Sequence, residues 1–123
     1  MITKKEGQFS RLLRVAFAFC VAALAVLSLL PAPYLTRTTL GGHVEHVIAY
    51  LGTAVVMGLA FQRGPRLEIQ CALLILYAAV LEALQVYSPG RHSSIFDLAF
   101  SASGIIAGGL ALWALARVRP PQS

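Results

Sequence analysis

Four long stretches without a charged residue constrain the fold of this chain more than any other feature. They are residues 15–36, 47–62, 69–81 and 98–116. A helix needs about 20 mainly apolar residues to cross the hydrocarbon core of a bilayer, which is roughly 30 Å thick. The first and last stretches reach that length unaided, and the middle two reach it when the polar residues at one end of each are included. We therefore expect helices that span a membrane.

Composition supports a membrane environment and excludes three other classes of protein. Of the 123 residues, 58% are hydrophobic and 12% are charged, whereas about 25% are charged in a soluble domain. A chain of this length builds one small domain, whose core cannot hide so much apolar surface from water. Intrinsic disorder is excluded because it requires low hydrophobicity, which this chain does not have. Cys20 and Cys71 lie inside apolar stretches, which indicates neither a disulfide scaffold nor a thiolate metal site.

Proline and glycine residues separate the stretches, and the period-2 alternation of a β-barrel is absent. The sequence predicts an all-α fold, a four-transmembrane-helix bundle in a single domain, 1–123. The predicted helices cover approximately residues 12–33, 44–61, 68–87 and 95–116. A cleavable signal peptide is the alternative for the first helix. We favour a retained helix because its uncharged run of 22 residues exceeds the usual apolar core of about 7 to 15 residues, and no clean cleavage site follows.

Basic residues orient the bundle, because Lys and Arg are retained on the cytoplasmic side of a membrane. Eight of the ten lie in the N-terminal segment, the second connection and the C-terminal segment: Lys4, Lys5, Arg11, Arg14, Arg63, Arg66, Arg117 and Arg119. The other two, Arg37 and Arg91, lie in the first and third connections. We therefore expect both termini in the cytoplasm. These flanks and anionic lipid headgroups account for the net charge of +5, so the expected partner is the lipid bilayer and not nucleic acid.

The polar residues most typical of functional sites gather at the helix ends that are predicted to face outward. They are His43, Glu45, His46 and Tyr50 at the start of the second helix, Glu82 and Gln85 at the end of the third, and Arg91, His92 and Asp97 around the start of the fourth. Helical spacing puts His43, His46 and Tyr50 on one face. It also puts Glu82 on one face with Gln85. The sequence thus predicts an outward-facing polar site.

Glu82 is the strongest individual candidate. It lies five residues before the predicted end of its helix, which at ~1.5 Å per residue is ~7 to 8 Å below the mouth of the bundle. Ionisable side chains inside spans are rare and tend to face a bundle interior or a water-filled cavity. A carboxylate at that depth is paired or protonated, and Arg91 and His46 are the candidate partners. A functional role and a purely structural ion pair with Arg91 both stay open.

Two other features have structural interpretations beside functional ones. Ser94-Ile-Phe-Asp97 has capping-box spacing, so Asp97 either caps the fourth helix or belongs to the site. Gly104 and Gly108 form a Gly-x-x-x-Gly motif, which lets helices approach closely. That packing occurs either within the bundle or between subunits of a homo-oligomer formed through the fourth helix.

A metal site is not expected. His43 and His46, with Glu82 or Asp97, offer nitrogen and oxygen atoms of the kind that bind zinc. The spacing His43-Val-Glu-His46 differs, however, from His-Glu-x-x-His and from its inverse. We expect neither a metal nor another cofactor.

At these residues the sequence resembles the VanZ-like family of small bacterial integral membrane proteins. The resemblance implies that the protein lies in a bacterial cytoplasmic membrane, which it crosses several times. One block of the resemblance runs from Gly42 to Gly52. The second and more specific block, Glu-x-x-Gln-x-x-x-Pro-Gly-Arg-x5-Asp, runs from Glu82 to Asp97 and continues to Gly104. The resemblance supports a polar site made of His46, Tyr50, Glu82, Gln85, Arg91, Asp97 and Ser101. His43 and Glu45 are accessory candidates because they lie at the same end of the second helix.

Three positions depart from the family pattern. Gly42 stands where the family has Asp, His43 where it has Lys, and Ser101 where it has Asn. His43 supplies a cation only when protonated, and Ser101 keeps a hydroxyl but no carboxamide.

The resemblance implies a link with low-level tolerance of glycopeptide antibiotics such as teicoplanin, whose target is the cell-wall precursor on the outer leaflet.

Two functions from different classes fit this pattern. The first is a cell-envelope protein whose outward pocket recognises an anionic or peptidic group, such as that of a lipid-linked envelope precursor. Arg91 would bind its phosphate or carboxylate, with Glu82, Gln85 and His46 setting specificity. The alternative is a membrane-embedded enzyme that acts on a lipid or lipid-linked precursor, with Glu82 or His46 as general base and Asp97 as the second acid or orienting group. A transporter is less favoured, because the polar residues do not continue into the cytoplasmic half.

Overall fold

The computed structural model describes residues 4–29, 42–62, 64–88, 90 and 94–118. This part of the chain forms four α-helices, which are α1 (Lys4–Leu29), α2 (Gly42–Ala60), α3 (Leu67–Leu84) and α4 (Ile95–Val118). A short 3-10 helix, Gln85–Tyr87, continues α3. The predicted all-α bundle of four helices is therefore confirmed.

The first helix differs from the prediction at its start. It begins at Lys4 and not near residue 12. The reason is local, because the residues before the apolar stretch are rich in Lys, Arg, Glu and Gln, all good helix formers. The helix thus continues beyond the apolar stretch into a basic segment. Its predicted end near residue 33 lies outside the described residues.

Among the described residues, three helical segments are long and apolar enough to cross a membrane: Gly7–Leu29, Leu67–Tyr87 and Ile95–Val118. The segment Val44–Ala60 in α2 is also apolar but shorter. Only 11% to 33% of the most apolar part of each long segment is buried within the bundle. Many large apolar side chains therefore face outward. This exposure is unfavourable in water but is expected where the surroundings are lipid. These helices fit a multi-pass membrane protein.

The interface between α2 and α4 is the most extensive in the bundle. Gly104 and Gly108 of α4 face α2, and backbone carbonyl groups occupy the space that their side chains would need. A Cβ atom at position 108 would lie 2.9 Å from the Leu51 oxygen, and one at position 104 would lie closer still to that of Val47. Ile105, beside them, is completely buried. The Gly-x-x-x-Gly motif is thus used inside the bundle, which is one of the two arrangements that the sequence leaves open.

Successive helices run in opposite directions and give the bundle two chemically different ends. One, termed the polar end, contains Ser28, His46, Glu82, Gln85, Ser94, Asp97 and Ser101. The other, termed the basic end, contains Arg14, Phe61, Arg66 and Arg117. Between the two ends, the Tyr77 hydroxyl donates a 2.7 Å hydrogen bond to the Val21 carbonyl and joins α3 to α1.

Replacing Gly104 with Ala is expected to lower the free energy of unfolding by about 1 to 3 kcal/mol, because the added methyl group would overlap the Val47 carbonyl group. The matched control is Gly52→Ala, since nothing lies within 4 Å of a Cβ atom at Gly52. That control should be neutral or stabilise the protein by up to about 1 kcal/mol. Thermal unfolding in detergent measures both variants, and equal melting temperatures would contradict the close approach of α2 and α4.

Candidate functional site

The first contact of the candidate site joins α2 to α4. The His46 Nδ1 and Ser101 Oγ atoms are 3.1 Å apart, a hydrogen-bonding distance whichever of the two groups supplies the proton. Ser101 is 3% exposed, so this bond crosses the buried interface between the two helices. On the same face of α2, the Tyr50 ring lies parallel to the His46 ring, with centroids 6.4 Å apart and 5° between the planes. These two side chains share a face, as their spacing of four residues predicts.

The second contact joins α3 to α4 through Glu82. Its Oε1 atom accepts a 2.5 Å hydrogen bond from the backbone N–H of Ser94. Ser94 is the N-cap of α4, since its side chain accepts a 3.2 Å hydrogen bond from the N–H of Phe96. In a capping box, the N–H of the N-cap residue is bound by the side chain three positions later, which here is Asp97. In this protein a carboxylate from a different helix, that of Glu82, accepts that N–H.

This position explains how the bundle tolerates a carboxylate. Glu82 is 8% exposed, yet it lies at the N-terminus of α4, where the helix dipole carries a partial positive charge. A hydrogen bond to an ionised acceptor is also stronger than one between neutral groups. The ion pair of Glu82 with Arg91 stays a prediction, because Arg91 lies outside the described residues.

The third contact joins α3 to α1. Gln85 is 1% exposed, and its Nε2 atom donates a 2.9 Å hydrogen bond to the Ser28 carbonyl. The Ser88 hydroxyl donates a 2.8 Å bond to the Leu29 carbonyl. The last four carbonyl groups of a helix have no partner within it. The end of α3 therefore satisfies the C-terminal end of α1, and Gln85 holds these two helices together at the polar end.

Sequence reasoning does not find Ser28 as a member of the site. Ser28 is 9% exposed, and its carbonyl group accepts the hydrogen bond from Gln85 that links α1 to α3. The available signal is a single hydroxyl residue within a long apolar run, three residues before a proline. The sequence does predict that Ser94 caps α4. It gives no signal for the bond from Ser94 to Glu82, because the two residues belong to different helices.

Two further predicted residues, Glu45 and Asp97, lie at the starts of α2 and α4. Glu45 and Asp97 are partly buried in the first turns of these helices, where a carboxylate interacts favourably with the helix dipole. Arg91, His92 and the side chain of His43 lie outside the described residues. Within the described ranges, no three side chains of the His, Cys, Asp and Glu types come together as a metal site.

Together these contacts form a polar cluster that connects all four helices at one end. Its buried members are Ser28, Tyr50, Glu82, Gln85 and Ser101. His46 and Asp97 are only partly buried, so a molecule outside the bundle can reach them. Hydrogen bonds between helices hold the cluster together, and it offers an imidazole and carboxylates. Such groups can bind a polar molecule or transfer a proton.

Comparison of the chain with models of protein families, with curated proteins and with solved structures finds no match. The resemblance to the VanZ-like family therefore remains a prediction from the two sequence blocks.

Replacing Glu82 with Leu is expected to lower the free energy of unfolding by about 1 to 3 kcal/mol, because the Ser94 N–H loses its acceptor. Glu82→Gln keeps an acceptor oxygen and should lose less. The matched control is Glu68→Gln, which changes an exposed acid in the first turn of the same helix and should shift stability by less than about 0.5 kcal/mol. Thermal unfolding in detergent measures the three variants. A Leu variant as stable as the wild type would show that the bond to Ser94 does not hold α3 to α4.

Proposed function

We propose that this chain is a multi-pass protein of the bacterial cytoplasmic membrane whose polar end faces outward and binds an anionic or peptidic group of the cell envelope. Both termini lie in the cytoplasm in this proposal, because eight of the ten basic residues belong to the segments on that side. The resemblance to the VanZ-like family suggests a role in low-level tolerance of glycopeptides such as teicoplanin. It also suggests a lipid-linked cell-wall precursor as the ligand.

The observation that carries the proposal is the buried carboxylate of Glu82. A neutral Gln side chain would accept the same hydrogen bond from Ser94 without the cost of taking a charge out of water. We therefore infer that the Glu82 carboxylate has a functional role in addition to capping α4. A carboxylate is a strong acceptor for the ammonium, amide or hydroxyl groups of a ligand.

The chemistry of the site suits a peptide end, which carries both hydrogen-bond donors and a carboxylate. Glu82 and His46 provide acceptors for its N–H groups. Arg91, three residues before Ser94 in the chain, is the expected partner of its carboxylate or of a phosphate, because a guanidinium binds either with two parallel hydrogen bonds. The partial exposure of His46 and Asp97 supports access without separation of the helices.

A second candidate function is a membrane-embedded enzyme that acts on a lipid or lipid-linked precursor, and the contact between His46 and Ser101 favours it. An imidazole 3.1 Å from a serine hydroxyl can take its proton and make the oxygen nucleophilic. Ser101 is, however, 3% exposed in the α2–α4 interface, and a substrate would reach it only if these helices separated. This burial disfavours Ser101 as the nucleophile of such an enzyme.

Glu82→Gln and Arg91→Gln are each expected to abolish the teicoplanin tolerance that the wild-type chain confers on a susceptible bacterium. Each should also weaken binding of the lipid-linked precursor about tenfold or more, because each removes a charge-assisted hydrogen bond. The inhibitory concentration for expressing cells and the affinity of the purified protein in nanodiscs measure the two effects. Arg117→Gln at the basic end is the matched control and should behave as the wild type.

Two checks make this experiment decisive. Membrane levels of every variant are compared by immunoblotting, so that loss of protein is not mistaken for loss of binding. A membrane-impermeant thiol reagent on intact cells should label Tyr87→Cys, whose native residue is 84% exposed, and should not label Gln62→Cys.

Unchanged tolerance in both Glu82→Gln and Arg91→Gln would overturn the proposal. Turnover of the precursor by purified protein, lost in His46→Gln, would favour the enzyme instead.

A further inference from the structure

Two adjacent cavities lie at the basic end, away from the polar cluster. The larger, about 610 Å³, lies between the α2–α3 connection and the last turns of α4, and its walls include Gly58, Gln62, Arg66, Leu112 and Ala116. The smaller, about 390 Å³, lies between α1, α2 and α3, and its mostly apolar walls include Phe17, Val21, Met57, Leu73 and Tyr77. Both cavities share Phe61, Pro65 and Gln70. A space large enough for a small polar group thus adjoins an apolar groove.

Gln70 in the shared wall has an unused hydrogen-bond acceptor. Its Nε2 atom donates to the carbonyl groups of Phe61 at 3.1 Å and Pro65 at 2.6 Å. Carbonyl groups only accept, so these two bonds fix which way the carboxamide faces. The Oε1 atom is left buried with no hydrogen-bond partner among the described residues, and the residue is 6% exposed. A buried acceptor without a donor is costly, and a hydroxyl group in the adjoining cavity would supply the missing donor.

The charged side chains on or over the described cavity walls are basic, whereas Glu68, in the first turn of α3, lines neither cavity. Arg66 lines the larger cavity and is exposed. The guanidinium of Arg14, also exposed, lies over the Phe61 ring at 5.4 Å from its centroid, and Phe61 belongs to both cavities. None of the described residues that line the two cavities is acidic. The charged group that these cavity walls attract is therefore an anion.

We propose that the two cavities form one binding site for a phospholipid with an anionic, hydroxyl-bearing headgroup, of the phosphatidylglycerol class. The phosphodiester interacts with Arg14 and Arg66, and a headgroup hydroxyl donates to Gln70. An acyl chain fills the apolar groove between α1, α2 and α3. Phosphatidylcholine is disfavoured, because its headgroup has neither a hydrogen-bond donor nor a net negative charge. The site lies at the opposite end from the polar cluster and is independent of the proposed function.

Native mass spectrometry of the full chain, titrated with phosphatidylglycerol or phosphatidylcholine of matched acyl chains, tests the site. The wild type should bind phosphatidylglycerol about tenfold more tightly. The double variant Arg14→Gln/Arg66→Gln should lose most of this preference, because each Arg near a membrane surface contributes roughly a fivefold attraction to an anionic lipid. Gln70→Met should reduce the preference through loss of the acceptor.

The matched control is Arg11→Gln/Arg117→Gln, which removes two exposed Arg residues from the same end without touching a cavity wall. It should keep the preference for phosphatidylglycerol. Equal binding of the two lipids by the wild type, or equal losses in the test and control double variants, would overturn the proposal. Displacement of the bound lipid by soluble glycerophosphate at similar concentration would also overturn it, since the site would then recognise free phosphate and not a lipid. The two Arg variants change exposed side chains, so the test does not depend on the folding of Gln70→Met.

Discussion

The hydrogen bond from the Ser94 N–H to the Glu82 carboxylate sets the geometry of the polar end. A carboxylate withdrawn from water needs donors supplied by the protein, and the N-terminus of α4 provides both a donor and a favourable dipole. This bond fixes the start of α4 against the end of α3. With α4 in that position, Ser101 comes within 3.1 Å of His46 on α2. Gln85, on the next turn after Glu82, extends the same set of contacts to α1.

The two ends of the bundle differ in whether their buried polar groups have hydrogen-bond partners among the described residues. At the polar end, buried groups from all four helices bind one another, and only the partly exposed ones remain accessible. At the basic end, two cavities adjoin a buried carboxamide whose oxygen has no partner among the described residues. Between the ends, Gly104 and Gly108 bring α4 against the backbone of α2. This close packing keeps both ends in register, since it leaves little room for either helix to slide.

Much of the fold can be predicted from the sequence, because in a membrane the pattern of uncharged stretches and turn residues determines the number and order of helices. The shared face of His46 and Tyr50 and the cap at Ser94 follow from spacing within one helix. Contacts between helices cannot be predicted in this way, because they depend on the rotation and height of each helix relative to its neighbours. For that reason the bonds from Ser94 to Glu82 and from Gln85 to Ser28 have no sequence signal. The sequence prediction misses the early start of α1 because it places helices from apolar runs alone. A polar segment of good helix formers cannot be distinguished from a loop in this way.

The central claim is that side chains from different helices act as one cluster at the polar end. A double-mutant cycle between His46 on α2 and Ser101 on α4 tests it most directly. The free energies of unfolding of His46→Phe, Ser101→Ala and the double variant are measured in the same detergent. A shared hydrogen bond predicts a coupling energy of about 0.5 to 3 kcal/mol between the two positions. Additive effects, with a coupling energy near zero, would contradict a cluster that joins α2 to α4.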